Sequence, residues 1–218
     1  MSGFTRSPRL LKGAIVGIDP FNPLASIIVF QYNPDSVVRT ITPNTTGGSA
    51  SSPGEALRLA GPPGETITVD IAVDATDQLE QGKFPATSMG VHPTLASLEM
   101  LLYPKSALVI ANGLLAALGC LETIPAEAPL TLFIWGIKRV VPVKLTTLTI
   151  TEEAFDTSLN PIRARARVGM KVLTYQDLGL LSVGGALFMT HQVIKESMAT
   201  LNGIGSLAAA GSFSLSVG

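Results

Sequence analysis

Between Arg163 and Val172 the chain alternates cationic and apolar residues: Arg163, Arg165, Arg167 and Lys171 fall on one parity, Ala164, Ala166, Val168, Met170 and Val172 on the other. A two-residue period belongs to extended chain, so this run is a strand with one wet face and one core face. Thr66–Asp74 repeats the pattern, with Ile67, Val69, Ile71 and Val73 opposite Thr68, Asp70 and Asp74. Strands half-solvated in this way belong to antiparallel sheets, whereas a doubly wound parallel sheet buries both faces of its strands.

The rest of the chain supports the same class. Lys12–Ile18 and Ser26–Tyr32 are β-branched or aromatic-rich runs around the turn cluster Asp19-Pro20-Phe21-Asn22-Pro23, which predicts a hairpin. Asn33-Pro34-Asp35 punctuates the chain before a short strand over Ser36–Thr42. Leu130–Ile137, Val143–Thr151 and Arg163–Tyr175 follow one another without an intervening helix, as in a meander or barrel. One helix interrupts the strands, with Val91, Leu95, Leu98 and Leu102 at helical spacing, Pro93 in its first turn, and Tyr103-Pro104 ending it. Past Tyr175, Leu187, Ile194, Met198 and Leu201 make a second helical stripe that Asn202-Gly203 is expected to close, leaving Ile204–Gly218 as a mobile tail or an extension that orders only on a partner. The Gly-, Pro- and Ser-rich Pro43–Gly64 segment has local order only near Ala56-Leu57-Arg58-Leu59, and reads as an arm that orders on a neighbour.

Charged residues are only 14% of the chain against 46% hydrophobic, where an average soluble domain carries about 25% charged. Such a surface is expected to be partly covered by neighbours. A net charge of -1 supplies no global field to gather polyanions. The lone Cys120 excludes an internal disulfide and fits a reducing compartment. The N-terminal region lacks signal-peptide character, and the apolar Ala107–Leu121 run falls short of the ~20 residues that cross a bilayer. The reading is a soluble, cytoplasmic protein without direct membrane insertion.

Chemistry-bearing groups are sparse. His92 and His191 lie far apart without Cys or His at metal spacing; His92 reads as a helix-start residue and His191 as an interface or hydrogen-bonded imidazole on the last helix. Asp70, Asp74, Asp77 and Glu80 lack the glycine pattern of a calcium loop and read as solvated or interfacial carboxylates. Nucleophile-elbow, Walker-type and dinucleotide-binding fingerprints are missing, and Gly184-Gly185 marks no more than a helix start. The expectation is therefore a non-enzyme with no metal or cofactor. The cationic row has three readings: an outer solvated face, an inter-subunit salt-bridge row, or a nucleic-acid track, the last weakened because no aromatic residues interleave to stack bases.

Three segments together resemble one family. Phe30-Gln31-Tyr32-Asn33-Pro34 is similar to its F-x-[FY]-N-P signature, and Leu132-Phe133-Ile134-Trp135-Gly136 to its L-x-F-x-W-G motif. Asn160-Pro161-Ile162-Arg163-Ala164-Arg165-Ala166 is similar to the G-x-P-x-R-A segment that leads into its last strand. The family is the tube-like baseplate protein of contractile injection systems, and the resemblance spans Lys12 to Tyr175 in consistent order.

The resemblance implies a mainly β fold, an antiparallel tube-type split β-barrel with one packed helix over residues 1–176; the residues beyond it read as a C-terminal helical extension and flexible Gly/Ala/Ser tail over 177–218. It implies a ring homo-oligomer, a hexamer, that joins the spike hub protein to the inner tube protein and to surrounding baseplate and sheath components, with no nucleic-acid partner. Many relatives carry a lysin-motif domain after the barrel; here a helix and a Gly/Ala/Ser tail stand in its place, expected to reach a neighbouring baseplate component. Expected interface residues are Arg163, Arg165, Arg167, Lys171, Leu57, Leu59 and His191, while Phe30, Tyr32, Asn33, Pro34, Phe133, Trp135 and Gly136 form the structural motif. Competing readings are a stacked inner-tube or tube-initiator ring, a flavin-type small-molecule split barrel, and a nucleic-acid-binding barrel.

Overall fold

The structure is a computed structural model and describes residues 11–18, 27–45, 58–119 and 128–210. In chain order the elements are β1 (Ala14–Ile18), β2 (Ile27–Val29), β3 (Val37–Thr42) and β4 (Gly64–Asp74), then α1 (Thr76–Glu80), α2 (Ala86–Met89), α3 (His92–Glu99) and α4 (Ser106–Ala117). There follow β5 (Leu130–Ile134), β6 (Val140–Phe155), β7 (Pro161–Val172), α5 (Tyr175–Leu178) and α6 (Val183–Ala210). The strands form a seven-stranded sheet in the order β2-β1-β5-β6-β7-β4-β3, antiparallel at every step.

Register follows the alternation. Residues of β4 pair with β7 from Thr66 opposite Lys171 to Asp74 opposite Arg163, so both apolar parities face one core. That face buries Ile67, Val69, Ile71 and Val73 beside Ala164, Ala166, Val168 and Met170. Helix α3 adds Leu95 and Leu98, and Leu101 follows in the next turn. The β6–β7 pairing slips between Leu145 and Thr147, a bulge that bends the longest strand.

Gly90 fixes how the helical segment meets the sheet. It ends α2 at φ 57°, ψ −131°, a conformation that side-chain-bearing residues rarely adopt, and an added Cβ would lie 2.2 Å from the Pro161 carbonyl oxygen. The next residue, Val91, donates its N–H to that same oxygen at 2.8 Å. His92 then opens α3 with Pro93 behind it, as the sequence predicts.

Mainly-β antiparallel architecture, the β1–β2 hairpin and the β5–β6–β7 meander all match expectation. Three expectations need correction. The ladder does not close: β2 and β3 are its free edges among the described residues, so the architecture is an open sheet. Among the described residues not one helix but four separate β4 from β5, and the Leu- and Ala-rich first part of the apolar Ala107–Leu121 run, as far as Ala117, takes helical form in α4. The last helix does not stop at Asn202-Gly203 either; it continues to Ala210. Helix-interior glycine costs about 1 kcal/mol relative to alanine, and the flanking Leu207 and Ala208–Ala210 favour continuation. Of the tail, residues 211–218 lie outside the described residues.

The Pro43–Gly64 arm is ordered at both described ends. Thr45 bridges Leu59, the Ala60 N–H donates to the Asn44 carbonyl at 2.8 Å, and Gly64 already belongs to β4. Leu57 lies outside the described residues. Among those described, no helix is long and apolar enough to cross a membrane.

Candidate assembly surfaces

The outer face of β7 carries the cationic row as the alternation requires, and the fold supplies partners for it. Arg167 grips Asp70 with two bonds of 2.8 and 3.1 Å, from the directly opposite position on β4. Arg163 donates to Asp74 at 2.9 Å, also directly opposite. Arg165 reaches diagonally to Glu153 of β6 at 3.4 Å, and Lys171 meets Asp177 of α5 at 3.5 Å. The Arg167 hydrogen bond holds the Asp70 carboxyl below its usual range; at Asp74 the Thr76 hydroxyl is the first cause of a similar lowering. Each cation of the row thus has a carboxylate of the same chain. One like-charge contact remains, because Lys144 of β6 stands directly opposite Lys171.

These pairs are solvent-exposed, and an exposed pair contributes little to stability. Arg165, with 73% of its side chain exposed and a long contact to Glu153, isolates any contact made to a neighbour. Arg165→Glu is expected to change stability by less than about 0.5 kcal/mol, as surface substitutions do, and to weaken association only where the row meets a neighbour. Urea unfolding together with light scattering checks both; a reversed variant that associates as the unaltered chain does removes the row from any interface.

A second cluster gathers where α6 crosses the sheet. Glu65 lies on the buried parity of β4, and its side chain is only 8% exposed. Arg39 of β3 donates to its Oε1 at 2.6 Å and Lys195 of α6 to its Oε2 at 3.2 Å. Burial alone would raise the Glu65 carboxyl; the Arg39 hydrogen bond and the nearby Lys195 charge outweigh it and leave the group below its ordinary value. Burial, then the neighbouring Arg39 charge, lowers Arg139.

His191, one turn before Lys195, is buried, and its Nδ1 has no hydrogen-bond partner. Burial and the Lys195 charge push the imidazole below its usual range, against an opposing hydrogen bond to the Lys138 backbone. A neutral ring with its proton on the other nitrogen accounts for this arrangement. Beside it runs a groove of about 520 Å³ bordered by Leu59, Pro62, Tyr175, Phe188, His191 and Lys195. Tyr175 and Phe188 meet edge-on at 5.9 Å and floor it. The fold therefore brings Leu59 and His191 together on one groove, while the cationic row occupies the outer sheet face.

The motif residues serve the architecture. Phe30 and Phe133 are fully buried and flank Trp135, with ring centroids 6.4 and 6.0 Å away. Asn33 ties the chain before β1 to the segment after β2, accepting from Gly13 N–H at 2.9 Å and donating to the Leu11 carbonyl at 2.9 Å. Pro34 follows it, and Tyr32 is half exposed. Gly136 turns the chain at φ 74°, so that Trp135 N–H reaches the Arg139 carbonyl at 2.8 Å.

Reading the sequence for chemistry passes over Glu65, Arg39, Arg139 and Lys195. The signal was present in the alternation: two positions before Ile67, Glu65 falls on the core parity, and a carboxylate there needs cations. Among the described residues no three His, Cys, Asp or Glu side chains are grouped to hold a metal. No protein-family model matches the chain, and no curated protein matches it.

Proposed function

We propose that this chain is a structural baseplate subunit of a contractile injection system, forming a hexameric ring that joins the spike hub to the inner tube. It takes no catalytic part in this reading. The observation that carries the proposal is that, among the described residues, neither edge strand is paired on its outer side and each exposes apolar side chains. Ile27 and Val29 on β2 and Val38 and Ile41 on β3 are each about half exposed. Exposed edges invite strand addition, and monomeric sheet proteins ordinarily blunt them with charge or cover. Edge-to-edge pairing of identical copies, β2 of one beside β3 of the next, would make the open sheet one segment of a tube-type barrel wall. The aromatic cluster adds support, since it unites two of the three family-like segments, more than a hundred residues apart, at one core position.

Purification of the tagged chain from its native host, followed by electron microscopy and mass spectrometry, tests the proposal. Sheathed, spike-bearing particles containing this chain are expected, at the copy number of one ring; many stacked copies would reassign it to the inner tube. A lone monomer, from a host producing such particles at the time, overturns the proposal.

A further inference from the structure

Where α6 crosses the sheet, the fold gathers more positive charge than it balances. Glu65, the buried carboxylate there, takes Arg39 Nε and Nη2 on its Oε1, both at 2.6 Å, and Lys195 Nζ on its Oε2 at 3.2 Å. A third cation stands beside this group. Arg139 belongs to the turn between β5 and β6, and the residue before it, Lys138, accepts through its backbone from the His191 ring, one turn before Lys195. That bond holds the turn against the helix. Arg139 is half-buried and lies in the field of Arg39 and Glu65, yet among the described residues it has neither an ion pair nor a side-chain hydrogen bond. Glu196, the next acid along α6, accepts from Gln192 at 3.3 Å and pairs with none of the three cations. Three cations therefore share one carboxylate, an excess of two positive charges.

We propose that Arg139, Arg39 and Lys195 form a binding site for a phosphate group. Partly buried like charges repel through a medium that screens them less than water does, and an anion placed between them relieves the repulsion. The charge count selects the anion. A phosphate group carries about two negative charges near neutral pH and balances the excess, whereas a carboxylate balances only half of it. The donors agree with the count. An arginine presents its N–H groups as a planar fork that matches two phosphate oxygens, and the whole fork of Arg139 is open. Lys195 gives Glu65 one N–H of its ammonium, and Arg39 keeps the Nη1 end of its guanidinium, so both retain donors for the same ligand. The Arg39 and Lys195 side chains are 24 and 39% exposed, so a phosphate reaches them without unfolding the chain. Nothing in the site depends on ring formation or on the baseplate reading.

Isothermal titration of the full-length chain with inorganic phosphate at pH 7.5, against sodium chloride at matched ionic strength, tests the assignment. Saturable binding of phosphate alone is expected. Arg139→Gln is expected to weaken it at least ten-fold with an unchanged circular dichroism spectrum, and Arg139→Lys, which keeps the charge and loses the fork, to weaken it less. Lys144→Gln, on the outer sheet face, should leave it unchanged. The His191 resonances give a readout that needs no variant. Burial first, then the Lys195 and Arg139 charges, oppose protonation of that ring, while the Lys138 backbone and Glu65 favour it; bound phosphate offsets the two cations and moves the His191 titration upward. Absence of saturable binding, an equal response to chloride, undiminished binding by Arg139→Gln, or an unmoved His191 titration each overturns the proposal. Competition against inorganic phosphate by glycerol phosphate and by phosphatidylcholine vesicles containing phosphatidic acid then separates a soluble phosphate ester from a lipid headgroup; if neither displaces it, free phosphate is the ligand.

Discussion

Phe133→Ala is expected to destabilise the protein by about 3–5 kcal/mol, the usual cost of removing a buried aromatic ring and leaving its cavity. For a chain of this size that corresponds to a fall in Tm of roughly 10 °C. The site has little room to collapse. Phe133 has no exposed surface, stands opposite Ile15 on β1 and Val141 on β6, and stacks on Trp135 at 6.0 Å with rings 14° from parallel. Its neighbours are thus held by strand pairing on both sides and cannot move inward without breaking register. Ile137→Ala, four residues along and 84% exposed, serves as the control with an expected change below about 0.5 kcal/mol. Denaturant unfolding of both variants decides the matter: a Phe133→Ala loss under about 1 kcal/mol would mean that β5 is not a core strand.

The strands were legible because their alternation is local and strict. Ile67 to Val73 and Ala164 to Met170 identify the core face from sequence alone, and the register of β4 on β7 then follows. Closure was not legible, since it depends on what meets the edge strands β2 and β3, and neither edge encodes that locally. The helices were under-read for a different reason. Helix α4 is apolar around most of its circumference, so it lacks the one-sided pattern that announces a surface helix, and the periodicity argument has nothing to register. Helix α6 was cut short at Asn202-Gly203 because glycine after a helical stripe reads as a stop, although a helix can carry it when the residues beyond are helix formers. At the candidate site, the cationic row was visible, while its carboxylate partners became visible only once β4 lay beside β7.

Acidification is expected to weaken the fold in two separate stages that both originate where α6 crosses the sheet. The first belongs to His191. Its imidazole is held below the ordinary 6.5, so the unfolded chain takes up a proton more readily than the folded one. Stability is therefore full above pH 6.5 and declines as pH falls through the folded value. Burial and the Lys195 and Arg139 charges oppose protonation, and Glu65 and the Lys138 backbone favour it without prevailing. The second stage belongs to Glu65, whose carboxyl lies below the ordinary 4.5: its contribution is complete above that pH and is lost as the carboxylate protonates. His191→Leu removes the unpartnered nitrogen and should abolish the first stage, leaving Tm equal at pH 7.5 and 5.5, where the unaltered chain shows a drop. Glu65→Gln acts wherever that carboxylate is ionised, and so at pH 7.5 and 5.5 alike. It strands the Arg39 and Lys195 cations, and breaking a buried ion pair from one side costs 3–5 kcal/mol; with those side chains 24 and 39% exposed, water takes up part of the loss, and about 2–3 kcal/mol is expected. Since Lys195 is the link from α6 to that carboxylate, amide exchange in α6 should accelerate in Glu65→Gln more than in β7. Equal acceleration in both would show that the pair stabilises the sheet as a whole and does not specifically anchor the helix.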